Sequence, residues 1–142
     1  MRQPLMIFAM AVALASPVLA QNKAPAGLPP ALLEQHARQS QCEPLANLIH
    51  GDDWEVHRLS DDEWLYMVPC FSGAYNFSYQ FYIGRDGSDY FQRLLFADYS
   101  ESYGWTGTDQ LVGAFFEPDR LTLSSFAKGR GLGDCGTSGL WV

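Results

Sequence analysis

From Ala74 to Ile83 the side chains alternate in character: Tyr75, Phe77, Tyr79, Phe81 and Ile83 fall on one side of an extended backbone, and Asn76, Ser78 and Gln80 on the other. A helix would scatter these residues around its circumference, so a period of two predicts a half-buried strand with its aromatic face on a core. Asp86-Gly87 lies directly beyond it, and a tight hairpin turn needs the positive φ that glycine adopts freely. The runs Trp54 to Leu59, Trp64 to Cys70, Tyr90 to Ala97, Leu111 to Phe116 and Leu121 to Phe126 fit the same scheme. Ser60-Asp61-Asp62, Ser72-Gly73, Arg85 to Asp89 and Pro118-Asp119 punctuate them with turn formers. The expected fold is mainly β (α+β): an antiparallel sheet or sandwich of roughly five to six strands with one or two short N-terminal helices.

Those helices are read from the stretch before Gly51. Pro29-Pro30 sets up a start, and from Ala31 to Gln39 the apolar Leu32, Leu33 and Ala37 gather on one side. Pro44 at a first helical position, Leu45, Leu48 and Ile49 at helical spacing, and Gly51 as a stop predict a second. Further upstream the chain changes character. Arg2, the apolar run Leu5 to Ala15 and the small-residue ending Val18-Leu19-Ala20 read as a cleavable signal peptide over residues 1–20. A flexible leader over 21–27 and a single β-rich domain over 28–142 follow. No later stretch approaches the roughly 18 apolar residues of a membrane helix, so the mature chain is expected to be periplasmic or secreted and not membrane-spanning. Loss of Arg2 takes the basic residues from 9 to 8 against 16 acids, and the formal charge from −7 to −8. Such a surface repels phosphate backbones, which excludes nucleic acid as a partner.

Three cysteines remain in a compartment that oxidises thiols, so one bridge forms and one sulfur is left over. Loop closure is worth about 3 to 4 kcal/mol for Cys42 to Cys70 and a little over 4 for Cys70 to Cys135, too small a difference to decide the pairing. Locality favours Cys42–Cys70, with Cys135 as the odd thiol.

The segments Val68-Pro69-Cys70-Phe71-Ser72-Gly73-Ala74-Tyr75-Asn76 and Leu123 through Gly136 resemble the signature segments of an exported bacterial family called domain of unknown function 1176. The resemblance implies kinship and export but no chemistry, because the family carries no established activity. It also implies a longer chain that continues past the tryptophan matching Trp141 into another strand. Against that pattern, the ending Leu140-Trp141-Val142 reads as a shortened copy.

The glycine-rich segment Gly129 to Gly136 suggests several chemistries. Gly131-Leu132-Gly133-Asp134-Cys135-Gly136 fits G-x-G-x-x-G, but no βαβ unit surrounds it, so it is not a dinucleotide site. Ser125-Phe126-Ala127-Lys128 fits S-x-x-K without the companion motifs of the penicillin-interacting enzymes. Cys135 as a nucleophile would draw on Lys128 and Arg130 to lower its pKa, with no histidine close in sequence. A tight structural loop is the stronger expectation. Lys128, Arg130 and Asp134 are nevertheless binding candidates, the two bases forming an anion nest.

His36, His50 and His57 lack zinc spacing, and the acidic groups at 52–55 and 61–63 lack that of a calcium loop, so no metal and no cofactor is expected. Tyr99, Tyr103 and Trp105 lie in the polar, glycine-broken stretch from Asp98 to Asp109, which carries no strand pattern to bury them. Exposed aromatics on a loop suit a sugar or protein surface. Two functions follow. One is an exported, non-catalytic binding or interaction module whose partner is a periplasmic protein, a glycan or a small anion. The other is a small thiol-dependent or hydrolytic enzyme centred on Cys135.

Overall fold

The computed structural model describes residues 27–39, 41–129 and 135–142. The expected signal peptide, most of the expected leader, and the site candidates Arg130 and Asp134 lie outside the described residues.

The chain opens on helix α1 (Pro30–Gln39). A single 3-10 turn (Leu45–Asn47) stands where the second helix was expected. It stops at once because Leu48 turns to an extended conformation, with φ −77° and ψ 141°, and its N–H closes back onto the Leu45 carbonyl. This places Leu48 in the interior and leaves Ile49 in solvent, so the apparent helical stripe is not one buried face.

Among the described residues ten strands follow: β1 (Glu55–Arg58), β2 (Glu63–Ser72), β3 (Phe77–Arg85), β4 (Phe91–Arg93), β5 (Phe96–Ser100), β6 (Gly104–Thr108), β7 (Gln110–Val112), β8 (Phe115–Glu117), β9 (Thr122–Lys128) and β10 (Gly136–Trp141). They form three antiparallel sheets. The largest runs β1-β2-β3-β4, with β7 also on β3; β10-β9-β8 form a second, and β5-β6 a ribbon. Two of the expected runs are split between sheets. Tyr90 to Ala97 breaks at Leu94-Leu95, where the chain leaves β3 for the ribbon. Leu111 to Phe116 breaks at Gly113, whose φ of 55° turns the chain from the large sheet to the second. The Gly113 N–H donates to the Phe77 carbonyl at 2.8 Å, and its own carbonyl accepts from the Phe126 N–H at 3.3 Å. One residue thus joins the two sheets through its backbone.

The large sheet is buried on both faces. One carries Leu65, Met67 and Phe81 and packs on Phe96, Phe116 and Leu123 from the ribbon and the second sheet. The other carries Trp64, Tyr66, Val68 and Tyr82 beneath Leu32 of α1. Strand β3 is therefore not half buried: Ser78 and Gln80, on its polar side, are inside as well. They are tolerated there because each is hydrogen-bonded, Ser78 to the Gln110 side chain at 2.9 Å and Gln80 to Asp109 at 2.8 Å. Cys42 and Cys70 are bridged across 28 residues, tying the segment after α1 to β2. Cys70 lies at the irregularity between Pro69 and Phe71, where the β2–β3 register shifts.

Candidate functional site

The ribbon projects from the edge of β3 between β4 and β7. Arg93 stands just before it and Asp109 just after, and their ion pair at 3.1 Å closes its base. A two-stranded ribbon is marginal by itself, so these anchors matter. At the inner end Phe96 is buried edge-on against Phe81, with ring centroids 5.2 Å apart. On the far side Trp141 packs on Phe96 and donates its indole N–H to the Ala97 carbonyl at 3.1 Å. That ring lies across Gly139, where a Cβ would come within 2.2 Å of it, so only glycine fits beneath.

The outer half of the ribbon is exposed. Tyr99 stands opposite Trp105 in the β5–β6 register, with their rings 5.3 Å apart and inclined at 60°. Strand alternation puts Ala97 and Gly107 on the same face, beside the two rings. Small neighbours leave the rings uncovered: Tyr99 is 55% exposed, Trp105 75% and Tyr103, in the connecting turn, 85%. The stretch from Asp98 to Asp109 is therefore largely a hairpin. Its aromatics stay largely exposed because, among the described residues, their neighbours on the ribbon are small.

Between β5 and the second sheet lies a groove of about 680 Å³. Ser125, Ala127, Thr137 and Gly139 floor it, and Asp98, Glu101 and Tyr99 stand along one wall. These floor residues share the inner face that carries Leu123 and Trp141 into the core. Where the inner residues are large the two layers touch, and where they shrink the layers part. The polar groups in the groove are hydroxyls, carboxylates and the Gln110 amide; no Lys, Arg or His lines it among the described residues.

A buried polar chain leads from α1 to the ribbon base. Asp109 accepts from Gln80 Nε2, which orients the amide so that Gln80 Oε1 accepts from the Tyr82 hydroxyl at 2.6 Å. The only hydroxyl proton is then used, so His36 Nδ1, 2.9 Å from that oxygen, carries its hydrogen and donates it. His36 Nε2 is left buried with no hydrogen-bond partner among the described residues. Burial holds the His36 pKa below its ordinary value; Gln80 and the Pro69 backbone oppose this without prevailing. Burial likewise pushes the Tyr82 hydroxyl up to about 12.

A family model described as "Protein of unknown function (DUF1176)" matches residues 4–142. The chain belongs to that family. No curated protein matches it, and no solved structure does.

Several other sequence candidates of this DUF1176 chain take structural positions. Lys128 ends β9 with an exposed side chain, while its backbone N–H and carbonyl are both held by the Asn76 side chain, at 2.9 and 3.0 Å. Cys135 is a free, exposed thiol, and its carbonyl accepts from the Gly129 N–H at 2.7 Å to close the base of the β9–β10 hairpin. Neither residue lines the groove. The three histidines are dispersed: His50 pairs with Asp53 at 2.9 Å and His57 with Glu55 at 2.7 Å, away from buried His36. Tyr99 and Trp105 are brought into contact as a pair. Asp98, Gln110, Thr137 and Gly139 were missed by residue type alone. Period-two spacing of Thr137, Gly139 and Trp141 is the signal for their strand, and the glycines of Gly136 to Trp141 obscure it.

Proposed function

We propose that this chain is an exported, non-catalytic recognition module whose contact surface is the exposed face of the β5–β6 ribbon together with the groove beneath it. The observation that carries this is the Tyr99–Trp105 pair, two large rings left mostly in solvent on a projecting ribbon beside a concavity. Monomeric surfaces tend to cover such groups unless a partner does so. Export is supported by the apolar stretch at 5–15 and by a disulfide, which persists in oxidising compartments. No helix among the described residues is long and apolar enough to cross a membrane. The glycine-loop cation Lys128 belongs to a separate surface, and the position of Cys135 at the hairpin base supports a structural part for it. Tryptophan emission of the exported protein, titrated with envelope-derived peptides, oligosaccharides and phosphate, tests the reading. A ligand that shifts the emission of the wild type should lose affinity for the Trp105→Ala and Tyr99→Ala variants; unchanged affinity in both would remove this surface.

A further inference from the structure

We propose that the ligand of this surface is an oligosaccharide of neutral or amino sugars, an assignment that rests on the recognition reading above and names its chemistry. The lining of the groove carries the argument first. A sugar presents hydroxyls that both donate and accept, and Ser125, Thr137 and Ser138 offer the same, while Gln110, Asp98 and Glu101 add amide and carboxylate partners. A phosphate or acidic sugar would meet two carboxylates in the lining with no cation among the described residues to offset them. An amino sugar brings the complementary charge.

The aromatic pair supplies the second, independent feature. A pyranose ring has an apolar C–H face, which stacks on an aromatic ring whose own face is free. Both rings have such freedom, because Ala97 and Gly107 beside them rise no higher than a methyl group. A Cβ built on Gly107 meets nothing within 4 Å. Tyr99 belongs to the platform and to the groove wall alike, so one chain of sugars stacked on Tyr99 and Trp105 continues into the groove. The volume of about 680 Å³ lies within the range of small-ligand sites, which suits a short oligosaccharide.

Calorimetry on the full disulfide-bonded protein tests this with four probes: a chitin oligosaccharide, a chitosan oligosaccharide of the same length, an oligogalacturonate, and an extended peptide alternating lysine and threonine. The chitin and chitosan oligomers should bind, and the oligogalacturonate should not. Trp105→Ala should weaken binding roughly tenfold. Gly107→Gln, which keeps both rings but covers their faces, should do the same with thermal stability unchanged. The double variant Asp98→Asn with Glu101→Gln should weaken the chitosan oligomer several-fold more than the chitin oligomer, because only the amino sugar loses a charge partner. Binding of the peptide in place of the sugars, lost in Trp105→Ala, would overturn the sugar assignment and leave the recognition surface standing. Oligogalacturonate binding as tightly as chitosan would also overturn it. If no probe binds, or if binding ignores both Trp105→Ala and Gly107→Gln, the assignment and the recognition surface fall together.

Discussion

His36 is the residue at which burial and hydrogen bonding conflict most directly. Its Nδ1–H is committed to Tyr82, its Nε2 is buried without a partner among the described residues, and burial holds its pKa below the ordinary 6.5. A histidine depressed in the folded state binds its proton more readily in the unfolded chain, so stability rises with pH across the window between the two values. The contribution is complete above about pH 6.5 and is lost as acid protonates the unfolded ring first. Urea melts at pH 5 and pH 7.5 should therefore show a lower midpoint at pH 5, by a margin that shrinks in His36→Gln. An equal margin in both proteins would assign the acid sensitivity to the carboxylates instead. The companion residues show why this was hidden in the sequence. Gln80 and Ser78 alternate with aromatics and read as a solvated face, yet the helix above converts that face to core and their partners, Asp109 and Gln110, arrive from about 30 residues away.

At the scale of elements, the short strand that turns at Gly113 does more than its length suggests. The same apolar run serves the large sheet as β7 and the second sheet as β8, and the turn between them has φ 55°. An alanine there meets two penalties. Its Cβ would lie 2.5 Å from the Phe126 carbonyl oxygen, and the left-handed conformation itself costs about 1 to 2 kcal/mol for a residue with a side chain. Gly113→Ala is expected to destabilise by roughly 2 kcal/mol or more, read as a lowered denaturant midpoint with little change in slope. A change under about 0.5 kcal/mol would mean that the sheet junction relaxes around the methyl group. The ribbon is a different kind of element. Its root is fixed by Phe96, Trp141 and the Arg93–Asp109 pair, while its tip carries Tyr99 and Trp105 without cover. A root fixed by packing and an exposed aromatic tip are the features on which the proposed recognition role rests.

For the whole molecule, the Cys42–Cys70 bridge closes 28 residues of chain and fastens the α1 side to the central strand β2. Chain entropy values such a loop at about 3 to 4 kcal/mol, a large part of the roughly 5 to 15 kcal/mol that holds a domain folded. Reduction, or Cys42→Ser with Cys70→Ser, should lower the melting temperature by about 10 °C or more, whereas Cys135→Ser should leave it nearly unchanged. Alkylation under native conditions should label Cys135 alone, and all three cysteines only after reduction and unfolding. Labelling of Cys42 or Cys70 without reductant would contradict the pairing. The β class, helix α1 and the strand runs between Trp54 and Phe126 other than β6 were legible in the sequence, because alternation, turn residues and a proline-led helix start are local signals that neighbouring residues express together; β6 (Gly104–Thr108) was hidden in a glycine-broken stretch. The resemblance of two segments to the family was legible too. Which run divides between two sheets, which polar face is buried, and that Tyr99 and Trp105 meet across a hairpin beside a groove floored by Ser125 and Thr137 depended on tertiary structure. Except for the Tyr99–Trp105 pair, which is local to its hairpin, each is a contact between residues far apart in the chain, and the free energy of such a contact depends on what packs opposite it, which no local pattern contains.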